Sequence, residues 1–331
     1  MSSNATFVRL TRSIHSRGVA ILMALIVLIG AWMCYATGDF TVISGDCGCI
    51  FPSANGWIPW PAVDLAVNLG IICAICAAMI TLNRVYNILR SMTMVYVTFF
   101  LAMQMGTPEL LVQFFSGPLV ALVTMGCAVV LFSTYKRPVS STRRVFLIFF
   151  LLSLGATVQY CYMLLIPVFL LGCVQMRVFR PRGMVAALLG LVTPWWIILG
   201  FGIVRPSDIH PPQFHSIFTE FAPEDAVLLL VSVGLTVFIA LSGMVLNILR
   251  TIAYNARTRA YNGFLNILTL VTVMGLCLDY TNLVSYVPLL DCCAAFQAAH
   301  YFGPRRFERS WMLILGIILA YIVLYICHAL L

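Results

Sequence analysis

The chain has 331 residues, of which 62% are hydrophobic and 9% are charged, and its mean hydropathy is +1.02. Soluble domains are about 45–50% apolar and about 25% charged, so this composition excludes a water-soluble fold with a polar surface. The net charge of +8 is what the topology of a membrane protein demands, and it does not indicate nucleic-acid binding. We therefore expect an integral membrane protein without a nucleic-acid partner.

Eleven apolar segments follow one another along the chain, and their composition predicts membrane helices. They cover about 18–37, 61–82, 92–106, 111–134, 145–157, 159–176, 184–204, 227–249, 263–278, 283–302 and 311–330. The sequence thus predicts an all-α, polytopic transmembrane bundle that forms a single domain over residues 1–331.

The charges between the segments predict the orientation of the chain. If each segment crosses the membrane, every Lys and Arg except Arg205 lies on one side, and most Asp and Glu residues lie on the other. Because basic loops remain in the cytoplasm, we expect the amino terminus inside and the carboxyl terminus outside.

Two features of the segments predict departures from straight helices. Segments 145–157 and 159–176 are each shorter than the roughly 20 residues of a full crossing, so two short helices and a re-entrant hairpin both fit. Prolines within segments favour kinks, which are common where membrane proteins form cavities. These prolines are Pro118, Pro167, Pro194 and Pro288.

The outer loop over residues 205–225 concentrates the polar side chains that most often serve in catalysis. Phe214, Ile217, Phe218 and Phe221 recur in it at helical spacing, which predicts a short amphipathic helix at the membrane surface. Such a helix could hold a lipid-borne substrate, or it could be an interfacial strap with solvated charges.

The candidate catalytic residues in this loop are Asp208, His210, His215 and Glu220. Histidine and carboxylate side chains could act as general base and acid, and with Asp208 they could hold a divalent metal ion, although no spacing here matches a metal motif. Arg205 would contact a phosphate group. Asp39 and Asp46, in the first outer loop, are further candidates for substrate binding.

Two carboxylates fall inside apolar segments, where a charge costs roughly 2.5–3.5 kcal/mol even on the lenient insertion scale. Asp64 lies about one turn into its segment, with Asn68 four residues later on the same helix face, and Asp291 lies near mid-membrane. Both are candidates for substrate binding, and the alternative for Asp291 is a protonated carboxyl group that is hydrogen-bonded to a neighbouring helix. His300 and His328 lie near segment ends, and we expect them at the membrane interface.

One tetrapeptide occurs twice. Asn-Ile-Leu-Arg ends the second segment at residues 87–90 and the eighth at residues 247–250. A duplicated half would explain it, but an arginine after an apolar helix is also what the orientation requires.

Residues 145–204 form an apolar hairpin with Gly155 and Tyr160, followed by Pro167, by Arg-Val-Phe-Arg-Pro-Arg at 177–182 and by Leu-Gly-Leu-Val-Thr-Pro at 189–194. With Ser-Gly-Pro-Leu at 116–119, this resembles a family of polytopic bacterial inner-membrane proteins of unknown function. The hairpin is also similar to the membrane core of GT-C glycosyltransferases, which use polyprenyl-phosphate sugars. That resemblance implies an acidic residue of the first outer loop as base or metal partner, a place that Asp39 or Asp46 would take.

Three functions follow as hypotheses. The first is a protein of the bacterial inner membrane that acts on lipid-linked glycan or envelope lipid at the outer face. The second is a non-enzymatic subunit that packs on a membrane-protein partner. The third is a small-solute transporter that depends on Asp64 and Asp291.

Overall fold

The structure is a computed structural model that describes residues 15–38, 50–52, 54–55, 57–89, 93–137, 141–205, 209, 223–251, 254–302 and 307–330. Within these ranges every regular element is a helix and none is a strand. The predicted amphipathic helix of the outer loop lies outside the described residues, as do Asp39 and Asp46.

The helices follow the apolar segments of the sequence. Their bounds are α1 Arg17–Thr37, α2 Pro61–Tyr86, α3 Val95–Met105, α4 Glu109–Val112, α5 Ser116–Phe132, α6 Thr142–Val158, α7 Cys161–Gln175, α8 Pro181–Gly200, α9 Pro223–Thr251, α10 Ala256–Leu278, α11 Leu283–Tyr301 and α12 Phe307–Leu330. A 3-10 turn, Tyr280–Asn282, precedes α11.

Two helices form the centre of the bundle. Every side chain of α11 from Leu283 to His300 is buried, and so is every side chain of α3. Helix α11 packs against α9, α5, α3 and α10. A helix that is enclosed on all sides is typical of the centre of a large helical bundle.

The outer helices present apolar side chains to their surroundings. Large exposed side chains include Ile21, Leu25 and Trp32 on α1 and Leu188 and Trp196 on α8. Exposed apolar surface of this extent belongs against lipid rather than water. In the part of the chain that the structure describes, six helices are long and apolar enough to cross a membrane: Arg17–Thr37, Pro61–Tyr86, Pro181–Gly200, Ala226–Arg250, Ala256–Leu278 and Trp311–Ala329. The chain is therefore a helical membrane protein, and the count of eleven crossings stays a prediction.

The short hairpin of the sequence consists of two separate helices, α6 and α7, which have 17 and 15 residues. Their junction is tight because a Cβ on Gly155 would lie 2.8 Å from the ring of Tyr162. Helix α6 packs most extensively on α8, where a Cβ on Gly190 would lie 2.6 Å from the carbonyl oxygen of Phe146. Glycines at these two contacts allow the helices to approach closely.

Of the four prolines predicted to kink helices, three lie inside helices: Pro167 in α7, Pro194 in α8 and Pro288 in α11. Pro118 lies in the first turn of α5, where the missing N–H would have no helical partner in any case. The expectation of a kink at Pro118 is therefore wrong.

Candidate functional site

Asp291 lies halfway along α11, and its carboxylate contacts a single amide of α3. Its Oδ2 accepts a hydrogen bond from Nε2 of Gln104 at 2.6 Å, and Asp291 is only 2% exposed. The structure thus contains the hydrogen bond to a neighbouring helix that the sequence left open for Asp291, and the protonation of the carboxyl group stays a prediction. The partner is neutral, so the acid carries no compensating positive charge from Gln104.

Helix α3, which carries Gln104, ends one residue later. Helix α3 ends at Met105, Gly106 to Pro108 form a turn, and the one-turn helix α4 follows. Eleven residues rise about 16 Å, which is roughly half of the hydrocarbon thickness, so α3 alone cannot cross the membrane. The break therefore lies inside the bundle, where free backbone groups need protein partners.

Asp64 and Asn68 of α2 supply partners for the backbone around α4. Nδ2 of Asn68 donates hydrogen bonds to the carbonyl oxygens of Leu110 and Leu111, at 2.9 and 2.8 Å. Oδ2 of Asp64 accepts a hydrogen bond from the backbone N–H of Phe114 at 3.1 Å. The spacing of four residues, which the sequence predicted to place both side chains on one helix face, directs both of them at the broken segment.

A buried contact between a glutamate and a histidine lies at the far end of the break. Oε1 of Glu109, on α4, is 2.9 Å from Nδ1 of His328, on α12, and their side chains are 9% and 2% exposed. His300 is also buried, at 6%. Both histidines are thus buried within the protein near the ends of α11 and α12, and their place at the membrane interface stays a prediction.

Tyr321 of α12 packs against the turn that follows α3, between Asp291 and Glu109. Its hydroxyl forms a 2.7 Å hydrogen bond with Oγ1 of Thr236. A Cβ on Gly106 would lie 2.7 Å from its ring. We call Gln104, Glu109, Asp291, Tyr321 and His328 the break cluster.

A second polar cluster closes the end of the bundle where α10 meets α11. The carboxylate of Asp279 accepts hydrogen bonds from Tyr160 at 2.7 Å, from Asn282 at 2.7 Å and from Tyr286 at 3.1 Å. Burial raises the pKa of Asp279, while the hydrogen bonds from Tyr160 and Tyr286 lower it. Asn282 also donates to the hydroxyl of Tyr160. All the carboxylate oxygens are thus bonded within the protein, which is typical of a structural tether.

The candidate site residues of the sequence fall into two groups. Asp208, His210, His215, Glu220, Asp39 and Asp46 lie outside the described residues, so their roles stay predictions. Arg205 is exposed, five positions after α8 ends at Gly200. Asp64 and Asp291 both bond the stretch between Gln104 and Phe114, and their roles in substrate binding stay predictions.

Sequence reasoning did not single out Gln104 and Glu109, which flank the turn in the break cluster. Gln104 is a lone polar residue at the end of an apolar run, and Glu109 lies between two predicted segments. The signal that could have found them is the Gly-Thr-Pro sequence at 106–108, which separates the two residues and predicts a helix break.

Comparisons with protein-family models, with curated proteins and with solved structures found no match for this chain. In the part of the chain that the structure describes, no three His, Cys, Asp or Glu side chains come together as a metal site would require. The break cluster offers two carboxyl groups, an imidazole and a phenol within a membrane bundle.

Proposed function

We propose that this protein is a proton-coupled transporter of a small solute, and that Asp291 is the group that binds and releases the proton. The observation that carries the proposal is the carboxyl group of Asp291, buried at the middle of the central helix against a neutral amide and beside a broken helix. Ionisable groups at this depth are costly, and they mark proton and substrate paths more often than packing sites.

The broken helix supports this function in a second way. Transporters commonly place their binding sites at discontinuous helices near the middle of the membrane, where unwound backbone and helix ends meet the ligand. Here the break between α3 and α4 lies between two ionisable sites, with Asp291 bonded to Gln104 before it and Glu109 paired with His328 after it. An imidazole and two carboxyl groups can each bind and release a proton that crosses the bundle.

Infrared difference spectroscopy of the purified protein in lipid tests the proton site. We expect a carboxylic C=O band that titrates with pH in the native protein and is absent from Asp291→Asn. This variant keeps an oxygen that can accept the bond from Gln104. Asp64→Asn is the matched control, because Asp64 bonds the same segment, and it should retain the band. A spectrum that Asp291→Asn leaves unchanged would contradict the proposal.

Uptake into proteoliposomes tests the coupling. We expect an inward proton gradient to drive uptake of a solute from a panel of sugars, amino acids and organic acids, and Asp291→Asn to abolish it. Gln297→Leu is the control, since Gln297 is a buried polar residue of the same helix whose described partners, Asn247, Asn266 and Thr269, lie away from the break. Equal uptake with and without the gradient would exclude proton coupling.

We further propose that the chain resides in a bacterial inner membrane, crosses it eleven times and begins in the cytoplasm. The segregation of the basic residues in the sequence supports this orientation. Reporter fusions at Arg177 and at Glu220 test it: the first should report from the cytoplasm and the second from outside. Both reporters on one side would refute the orientation.

The outer loop supports a second candidate function, action on lipid-linked glycan or envelope lipid. Asp208, His210, His215 and Glu220 would be its working groups, and Arg205 would contact the phosphate. The resemblance to the GT-C hairpin and to the inner-membrane family belongs to this proposal. This second candidate function predicts altered levels of lipid-linked saccharides in cells that carry His210→Ala, His215→Ala or Asp208→Ala. Native levels of these saccharides in all three variants would exclude the function.

A further inference from the structure

An apolar groove of about 500 Å³ runs between α9 and α12, with the end of α11 as its floor. Helix α9 contributes Leu235, Phe238, Ile239, Ser242, Gly243 and Leu246, and α12 contributes Met312, Leu313, Gly316, Ile317 and Ala320. Phe238 and Met312 are 69% and 59% exposed, so the groove opens at the surface that faces lipid. Its volume is within the usual range of ligand sites, about 300–1,000 Å³.

The groove has the length and direction of one lipid leaflet. From Leu235 to Leu246 α9 rises about 16 Å, close to half of the roughly 30 Å hydrocarbon core. Both walls belong to candidate membrane spans, so the groove follows the direction in which acyl chains lie.

A cation closes one end of the groove. Arg250 follows Gly243 and Leu246 on the same face of α9, at the spacing i, i+3 and i+7. Its guanidinium lies 5.5 Å from the ring centroid of Tyr301, which lines the groove.

Two carbonyl groups fix the position of this arginine. Nη1 of Arg250 donates to the carbonyl oxygens of His300 and Tyr301, at 2.9 and 3.2 Å. Its Nε and Nη2 have no acceptor among the residues that the structure describes. These two bonds hold the guanidinium in place through one of its three nitrogens, and a guanidinium has five N–H donors, so an anion could bind at the other two.

We infer that this groove binds an anionic phospholipid from the leaflet on the arginine-rich side, with an acyl chain between α9 and α12 and its phosphate at Arg250. An apolar channel that ends in a fixed cation matches an acyl chain that ends in an anionic headgroup, and basic pockets between membrane helices bind such headgroups. A helix of a second copy would match the apolar walls but would leave the charge of Arg250 without a counterpart.

Native mass spectrometry of the purified protein in mild detergent, titrated with phosphatidylglycerol or phosphatidylcholine of identical acyl chains, tests the inference. We expect native protein to bind phosphatidylglycerol about fivefold more tightly. Gly316→Phe should fill the groove and abolish this binding. A Cβ at Gly316 meets no described atom within 4 Å, so the substitution begins in open space, and unfolding of the variant in detergent checks that it is folded. Gly234→Phe is the matched control, an equally open glycine of α9 outside the groove lining.

A second pair of variants tests the role of the positive charge of Arg250. Arg250→Gln should equalise the affinities for the two lipids, whereas Arg84→Gln, at the same end of the bundle on α2, should preserve the preference. Equal affinities in native protein, or equal binding by Gly316→Phe and Gly234→Phe, would overturn the inference. A dimer that Gly316→Phe dissociates would assign the groove to a second copy and would also overturn it. If Arg250→Gln fails to fold, the comparison of Gly316→Phe with Gly234→Phe, and the native preference between the two lipids, still test the inference.

Discussion

Asp64 and Asp291, on helices α2 and α11, bond opposite ends of one short stretch of chain. Asp291 accepts from the side chain of Gln104, and Asp64 accepts from the backbone of Phe114. Between these two contacts lie the end of α3, the turn at Gly106, the one-turn helix α4 and a second break. The two acids thus hold a segment whose helical hydrogen bonds are interrupted, and each of its contacts can be tested separately.

A double-mutant cycle tests the contact of Asp291 with Gln104. Gln104→Leu and Asp291→Leu each leave one buried polar group without its partner, which we expect to lower the free energy of unfolding by about 1–3 kcal/mol. The double variant should lose less than the sum of the two, by about 1 kcal/mol or more, because neither partner remains. Unfolding in SDS titrations measures all four proteins. Strict additivity would mean that the two side chains do not interact.

The turn after α3 should tolerate no side chain at Gly106. A Cβ there would lie 2.6 Å from Oγ of Ser232 and 2.7 Å from the ring of Tyr321. We expect Gly106→Ala to destabilise the protein by about 1–3 kcal/mol through overpacking. Gly126→Ala in α5 is the control, because its Cβ would meet no described atom within 4 Å and alanine favours a helix by up to about 1 kcal/mol. Equal stabilities of the two variants would contradict this packing.

The contacts of α2 with the broken segment should differ in strength. Asn68→Leu removes both donors to the carbonyl groups of Leu110 and Leu111, so we expect a loss of about 1–3 kcal/mol. Asp64→Asn keeps an oxygen that can accept the bond from Phe114, so we expect a change within about 0.5 kcal/mol. The same unfolding titration measures both. A larger loss for Asp64→Asn would show that the carboxylate charge, rather than the acceptor, holds the segment.

The sequence predicted the helices well, because long apolar runs form helices in a membrane whatever their neighbours are. It also placed Asp64 and Asn68 on one face, since helical spacing is local information. It could not identify their partners, the backbone groups of Leu110, Leu111 and Phe114, because backbone partners leave no trace in the side-chain pattern. Glu109 and His328 illustrate the same limit, for they are far apart in sequence and each is unremarkable alone.

The repeated Asn-Ile-Leu-Arg sequence shows how tertiary contacts override local sequence. Asn87 ends α2 in the left-handed conformation, with φ of 50°. Asn247 continues inside α9, and its Nδ2 donates to Gln297 and Asn266 at 3.0 and 3.2 Å. The same four residues therefore end one helix and lie within another. Their two structural contexts differ, so the repeat gives no support to a duplicated half.

The amino-terminal contact of the described chain should depend on pH. Nδ1 of His15 lies 2.7 Å from Oγ1 of Thr93, just before α1 and α3 begin, and burial lowers the pKa of His15. In the unfolded chain a histidine titrates near about pH 6.5. Between that value and the lower pKa of the folded protein, the unfolded chain binds more protons, so the contribution of neutral His15 to stability is present above about pH 6.5 and is lost as the pH falls.

We therefore expect the Tm of the native protein to fall between pH 7.5 and pH 5 by more than the Tm of His15→Asn, which cannot titrate there. Asp279, whose pKa burial raises, contributes the opposite dependence at more acidic pH, but it is common to both proteins and cancels in their difference. Thermal unfolding in detergent at several pH values gives the comparison. Parallel curves for the two proteins would mean that His15 is protonated as easily in the folded chain as in the unfolded one.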